Sequence, residues 1–322
     1  MSFNPIVIVG GEPKSVFLEL FLKAIKKKKK NSRPIILISS KDILLKNIKK
    51  FNQKINFNEL DKNFSNLNHK KINLINVEFK GFSFSSKKID YRSNLYLKKS
   101  FDIALKIMKK INCSGLINGP VSKKTFLKGK YNGITEFLAK STKSKDPVML
   151  IYNKNLSVSP LTTHVPISKV SRIVKKEHII SKISKINKFY QTVLNLKPKI
   201  AVTGLNPHCE SFGNENKEKT EIIPAIKFLK KKKLNIEGPF AADTIFLKQH
   251  AKKFDLVFGM YHDQVLGPMK TLYGFNAINI TLGLPFLRIS PDHGPNIQML
   301  GKNKSDPTSL IESISFFDNY EV

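Results

Sequence analysis

The strongest constraint on the fold is an alternation of short, almost wholly apolar runs with longer stretches of helical periodicity. Pro5–Val9 reads as a buried strand, ended by Gly10-Gly11, with Pro13 near the start of a helix reaching Lys26. Pro34–Ser39 reads as a second strand, and Ser40-Lys-Asp42 opens another helix. Ser100–Lys110 has helical periodicity, and Ser114–Pro120 reads as a strand with a tight turn. Val148–Tyr152, Leu156–Leu161, Lys199–Thr203 and Phe254–Phe258 are further strands, with one or two helices in Ile167–Leu196 and another from Thr220. Runs apolar at every position must be covered on both faces. The pattern therefore predicts an α/β protein with a mostly parallel sheet and helices on both sides. The polar stretch 50–95 is expected to be irregular or peripheral.

A chain of 322 residues, 41% of them hydrophobic, has room for two domains or one large one. No apolar run approaches the roughly 18–20 residues that span a bilayer, so no membrane association is expected. The first residues lack a basic segment followed by an apolar one, and only Cys113 and Cys209 occur, so a cytoplasmic location is expected. Lys and Arg number 56 against 24 Asp and Glu, a net charge of +32. Such an excess raises the prospect of nucleic-acid binding. However, the lysine runs Lys26–Lys30 and Lys230–Lys233 follow apolar helical segments, and no aromatics interleave with them. They read as helix C-termini and solvated faces, with a positive field that favours small anionic substrates.

In open α/β sheets ligands bind beyond the carboxyl ends of the strands. Three of the seven histidines, His164, His208 and His262, directly follow such strands; His69, His178 and His250 do not. One such histidine alone is more often a hydrogen-bonded loop residue. Three at one crevice would suit a divalent cation with open positions for substrate oxygens. Asp263 follows His262, and Asp243 lies in the turn-like segment Gly238–Thr244. Either carboxylate could accept a proton from a coordinated hydroxyl, although for Asp243 the sequence alone favours a helix N-cap. Lys270, Asn279 and Arg288 surround the run Ala277–Gly283; among so many lysines, Arg288 carries more weight as a phosphate ligand than Lys270.

Several ordered motifs make the chain recognisable. Asn118-Gly-Pro-Val121, Gly133-Ile-Thr-Glu-Phe137, Thr162-Thr-His-Val-Pro166, Gly204-Leu-Asn-Pro-His208, Gly238–Thr244, Tyr261-His-Asp-Gln264, and Asn279–Arg288 with Asp292-His-Gly294 occur in sequence. Together they resemble the PdxA family, the 4-hydroxythreonine-4-phosphate dehydrogenases of pyridoxal phosphate biosynthesis. The resemblance implies two α/β/α domains with a cleft, like isocitrate and isopropylmalate dehydrogenases, and a homodimer with its active site at the subunit interface. Boundaries of 1–126 plus 284–322 for the first domain and 127–283 for the second are expected. The family's metal ligands fall on His164, His208 and His262, and its substrate-binding residues on Thr135, Lys270, Asn279 and Arg288. Asp243 and Asp263 are the catalytic candidates. The reaction implied is oxidation of a C3 hydroxyl by NAD or NADP with a divalent metal (Zn, Mg, Mn or Co), followed by decarboxylation to 3-amino-2-oxopropyl phosphate. No Gly-x-Gly-x-x-Gly follows the first strand, so a Rossmann cofactor site is not indicated.

Three departures bear on substrate identity. Ile134 stands where the family usually has a histidine before the threonine. Gly11–Phe17 lacks the family's glycines, and Cys209–Gly213 is atypical. A sugar-acid phosphate such as threonate or erythronate 4-phosphate is therefore the alternative substrate. A basic nucleic-acid-binding protein is the alternative from another class.

Overall fold

The computed structural model describes residues 4–28, 32–61, 64, 66–86, 91–122, 126, 131, 133–210, 216–274, 276–291 and 294–321. Along the chain run β1 (Ile6–Val9), α1 (Phe17–Lys26), β2 (Ile35–Ser39), α2 (Lys41–Lys50), β3 (Phe57–Glu59) and β4 (Ile72–Asn76). They are followed by α3 (Arg92–Lys110), β5 (Gly115–Asn118), α4 (Ile134–Ser141), β6 (Val148–Tyr152), β7 (Ser157–Thr162), α5 (Ile167–Ile173) and α6 (Lys176–Thr192). Then come β8 (Ile200–Thr203), α7 (Ile223–Lys231), β9 (Ile236–Phe240), α8 (Lys248–Ala251), β10 (Leu256–Tyr261), α9 (His262–Tyr273) and β11 (Ile278–Leu282). β12 (Arg288–Pro291) and α10 (Thr308–Asn319) end the chain. None of the described helices is long and apolar enough to cross a membrane.

Two compact units result: Met1–Ser141 with Pro285–Val322, and Thr142–Leu284. In the first, the strand order is β3-β4-β2-β1-β5-β12 and every described pairing is parallel. All residues of β1 and β2 are buried, as expected for strands covered on both faces. In the second unit the order is β11-β6-β7-β10-β8-β9. There β7, β10, β8 and β9 run parallel, while β6 is antiparallel to both neighbours. Met149, Val158, Val257, Phe254 and Met269 are among the residues of its core.

Beyond β11 and β12, which the sequence reading did not assign, two regions depart from it. The stretch 50–95, expected to be irregular, contributes β4 to the interior of the first unit's sheet, beside β2. Its Ile-Asn-Leu-Ile-Asn sequence hides the strand because Asn73 interrupts the apolar run. That side chain is fully buried, and its amide donates to the carbonyls of Ile35 (3.1 Å) and Asn68 (2.8 Å). Its oxygen accepts from Asn68 N (2.7 Å) and Asn58 Nδ2 (3.1 Å), so the burial leaves no polar atom stranded. Second, Gly238-Pro-Phe240 is not a turn but the end of β9, an edge strand, where a proline is tolerated because it needs no ladder donor. Lys23 and Lys26 close α1 and Lys230 and Lys231 close α7, as their sequence positions suggest; Lys29, Lys30, Lys87 and Lys88 lie outside the described residues.

Candidate functional site

The second unit carries all three strand-end histidines. His164 sits in the bend between β7 and α5, where Val165 N donates to Thr163 O (3.0 Å). His262 is the first residue of α9, directly after β10. Their ring centroids are 6.0 Å apart with planes tilted by 36°. Imidazoles that share one cation at metal–nitrogen distances of about 2.0–2.1 Å have centroids roughly 5–6 Å apart, so this pair fits a common ion. Asp263 Oδ1 lies 2.7 Å from His262 Nδ1. With the carboxylate as acceptor, Nδ1 is the donor of this bond, and Nε2 is the ring nitrogen that Asp263 does not engage. A carboxylate bonded to the far nitrogen of a histidine ligand in this way fixes the orientation of the ring. Asp263 itself is exposed, so its pairing with His262 orients the ring without burying a charge.

His208 follows β8 in a short 3-10 turn, Pro207–Cys209. His208 and Cys209 both have left-handed backbones, with φ of 54° and 61°. Two consecutive residues in that region need outside support. One side of it is Glu218, a buried carboxylate that accepts from Leu205 N (2.9 Å), Asn206 N (2.8 Å) and the Asn206 amide (3.1 and 3.3 Å). Burial opposes its ionisation, but these donors outweigh burial and hold its pKa below the usual carboxylate range. The other side is Gly204: a Cβ there would stand 2.8 Å from Cys209 Sγ and 3.1 Å from Cys209 Cα. Glycine thus leaves room for the turn to fold back onto the end of β8.

Among the described residues, no group of three or more His, Cys, Asp and Glu gathers closely enough to hold a metal. His164 and His262 come together; His208 does not join them in one such group within a chain. Asp243 is exposed, in the turn after β9. It is not the N-cap of α8, which begins at Lys248 after Leu247. Its position is near the His208 turn: burial is the main cause raising the Cys209 thiol pKa, and the charges of Glu218 and Asp243 add to it.

The remaining candidates divide between the units. In the first, Arg288 opens β12 fully buried, its Nε donating to Asn118 Oδ1 (2.7 Å) and an Nη to Thr135 Oγ1 (3.5 Å). Burial brings the guanidinium down to about 10, with the charge of Glu136 opposing the shift, so Arg288 stays cationic at neutral pH. Thr135 and Glu136 lie in the first turn of α4, where backbone N–H groups and the helix dipole also favour an anion. In the second unit, half-buried Lys270 lies on α9 and its ammonium pKa is lowered by burial. Asn279, on β11, has a buried Oδ1 with no hydrogen-bond partner. A donor-seeking oxygen inside a folded protein is an expected mark of a ligand contact. Asp292 and His293, and Ser211–Gly213 of the loop after His208, lie outside the described residues.

Asn118, Glu218 and Thr162 were not singled out by sequence reasoning as site residues. Thr162 Oγ1 donates to Met260 O (2.9 Å), joining the ends of β7 and β10. Asn118 ends a predicted strand, a signal that could have found it. Glu218 carried none, because its partners are backbone amides twelve or thirteen residues away.

Comparison with known proteins gives a consistent result. The family model for pyridoxal phosphate biosynthetic protein PdxA matches residues 30–317. A 4-hydroxythreonine-4-phosphate dehydrogenase of Sulfurihydrogenibium sp. (strain YO3AOP1) is 37% identical over 315 residues, covering 96% of each chain. A relative from Oceanobacillus iheyensis, provisionally named a D-threonate 4-phosphate dehydrogenase, is 30% identical, covering 98% of this chain and 97% of its own. The crystal structure of 4-hydroxythreonine-4-phosphate dehydrogenase from Klebsiella pneumoniae superimposes with a TM-score of 0.81 at 25% identity, covering 98% of both chains.

Proposed function

Since the chain belongs to the PdxA family, whose named relatives are dehydrogenases, we propose that it oxidises and decarboxylates 4-phosphooxy-threonine to 3-amino-2-oxopropyl phosphate, using NAD or NADP and a divalent cation. The observation that carries this reading is the facing pair His164 and His262, with Asp263 on His262 Nδ1. His208 is the third proposed ligand, and a homodimer with its active site at the subunit interface is part of the reading. That arrangement allows ligands from two chains to meet where one chain alone gathers fewer than three.

With His164, His262 and His208 as its ligands, a divalent cation would supply stabilisation of negative charge on the C3 oxygen during oxidation and decarboxylation, and a bound nicotinamide would supply the hydride acceptor. The protein's own contribution is to hold the substrate and handle protons. The permanently charged Arg288, with Thr135 at the head of α4, suits the phosphate or carboxylate group. Lys270 and Asn279 complete the proposed binding set, and Asn279 Oδ1 would find in a substrate hydroxyl or ammonium group the donor it lacks in the protein. Asp243, near the His208 turn, is the residue proposed to accept the hydroxyl proton, leaving Asp263 to orient His262.

The test is reduced-nicotinamide formation from 4-phosphooxy-threonine with Zn²⁺, Mg²⁺, Mn²⁺ or Co²⁺, alongside EDTA-treated enzyme and His208→Ala. Activity should fall in both controls; full activity in both overturns the metal role. The likeness to the Oceanobacillus protein and the presence of Ile134 favour one second reading, a sugar-acid 4-phosphate as substrate. Threonate and erythronate 4-phosphates belong in the same assay, and faster turnover of either would replace the first substrate.

A further inference from the structure

The three histidines stand on the ends of β7, β8 and β10, and one buried side chain is hydrogen-bonded to two of those strand ends. Gln264, in the first turn of α9, accepts at Oε1 from Met260 N (2.7 Å) and from Thr203 Oγ1 (2.9 Å). Its Nε2 donates to Gly204 O (2.8 Å). Met260 N is an obligate donor and Gly204 O an obligate acceptor, so only this orientation of the amide satisfies both. Thr162 completes the set by donating to Met260 O (2.9 Å), so the residue two before His262 is held through both its N–H and its carbonyl. His164 lies two residues beyond Thr162, and His208 four beyond Gly204. Packing is as tight as the bonding: a Cβ on Gly259 would come within 2.9 Å of Gln264 Oε1 and 2.4 Å of Val265 Cγ1.

A glutamine at this position of a helix ordinarily reaches back to cap its own N-terminus. Gln264 bonds instead the N–H of Met260, one residue before the N-cap Tyr261, and its other two bonds go to the end of β8, in a different part of the chain. Capping α9 requires neither of them. We propose that Gln264 is a positioning residue that fixes the histidine-bearing strand ends relative to one another, and so sets how tightly and in what geometry the site takes a divalent cation. The inference rests on the metal-site reading above.

The experiment titrates the full-length, metal-free protein with Co²⁺ alone, reading affinity and the visible d–d absorption, which reports ligand geometry. Two variants separate the roles of the side chain. Gln264→Glu keeps both acceptor bonds but turns a second oxygen on the Gly204 carbonyl. Thr203→Val removes one bond and keeps the shape of the residue. For Gln264→Glu a loss of affinity of about 10–100-fold and a changed Co²⁺ spectrum are expected, the usual range when support behind a metal ligand is removed. Thr203→Val should lose about 3–10-fold with no change in fold by circular dichroism. With the phosphorylated substrate, kcat per folded enzyme should fall in both while KM stays within about twofold; since loss of folded protein also lowers turnover alone, the Co²⁺ spectrum is the readout that a merely structural role would not move. Should Gln264→Glu fail to fold, Thr203→Val decides alone. Wild-type Co²⁺ affinity and spectrum in the folded variants, even with lowered melting temperature, overturn the proposal and reduce Gln264 to a structural residue. His208→Ala separates this failure from that of the parent reading. If wild type binds no Co²⁺, or binds it equally well without His208, the three-histidine reading falls and the Gln264 proposal with it.

Discussion

Replacing Glu218 tests whether the His208 turn is held from outside, as its left-handed backbone requires. The carboxylate is buried and accepts from two backbone amides and one side-chain amide, at 2.8–3.3 Å. Hydrogen bonds to a charged group contribute about 1.5–3 kcal/mol each, and those sharing one acceptor are less than additive. Glu218→Ala strands the Leu205 and Asn206 amides and should therefore cost about 3–5 kcal/mol. For a unit of this size that lowers the melting temperature by about 12–20 °C, at about 4 °C per kcal/mol. Glu218→Gln keeps one acceptor oxygen but loses the charge, and should cost about 1–2 kcal/mol. The acid dependence separates charge from shape. Because the folded pKa of Glu218 is depressed, its stabilising contribution is fully present above the ordinary glutamate value and is lost as pH falls through the lower folded value. The stability gap between wild type and Glu218→Gln, measured calorimetrically, should be constant from about pH 6 to 8 and close towards about pH 3. A Glu218→Ala protein within about 1 kcal/mol of wild type, or a gap unchanged by acid, would refute the reasoning.

Two further substitutions test the proposed substrate contacts. Arg288→Lys cannot reproduce the planar fork that reaches both Asn118 and Thr135, so KM for the phosphorylated substrate should rise about 30-fold, some 2 kcal/mol; an unchanged KM in initial-rate kinetics removes Arg288 from the binding set. Asn279→Leu deletes a buried oxygen that has no partner in the ligand-free protein, so the apo form should gain about 1 kcal/mol in urea unfolding while substrate KM worsens about tenfold or more; a less stable variant with normal KM would show that Asn279 serves the fold instead.

Much of the fold was legible because the inner strands, most of them parallel, are buried on both faces and are therefore written as short, mostly apolar runs. β1, β2, β5, β6, β7, β8 and β10 all fall where such runs lie. β4 was missed because Asn73 is buried among hydrogen-bond partners rather than among apolar residues. β9 was missed because its Gly238-Pro239 looks like a turn when the neighbouring β8 is not in view. The candidate site divided in the same way. The histidines were found by the rule that loops after parallel strands face a binding crevice. Asp243 was ambiguous in sequence, and the structure removes the N-cap reading because α8 starts five residues later.

The order of residues along the chain determined, by itself, the α/β class, the strand ends at which the candidate site residues lie and the family to which the motifs belong. These depend on local periodicity and on residue types in fixed order. Tertiary structure alone decided that His164 lies against His262, that Glu218 and Gly204 shape the His208 turn, and that Gln264 ties β8 to β10. These contacts join residues up to about a hundred positions apart, and both ring placement and hydrogen-bond geometry depend on how strands pair and pack, which no local pattern encodes.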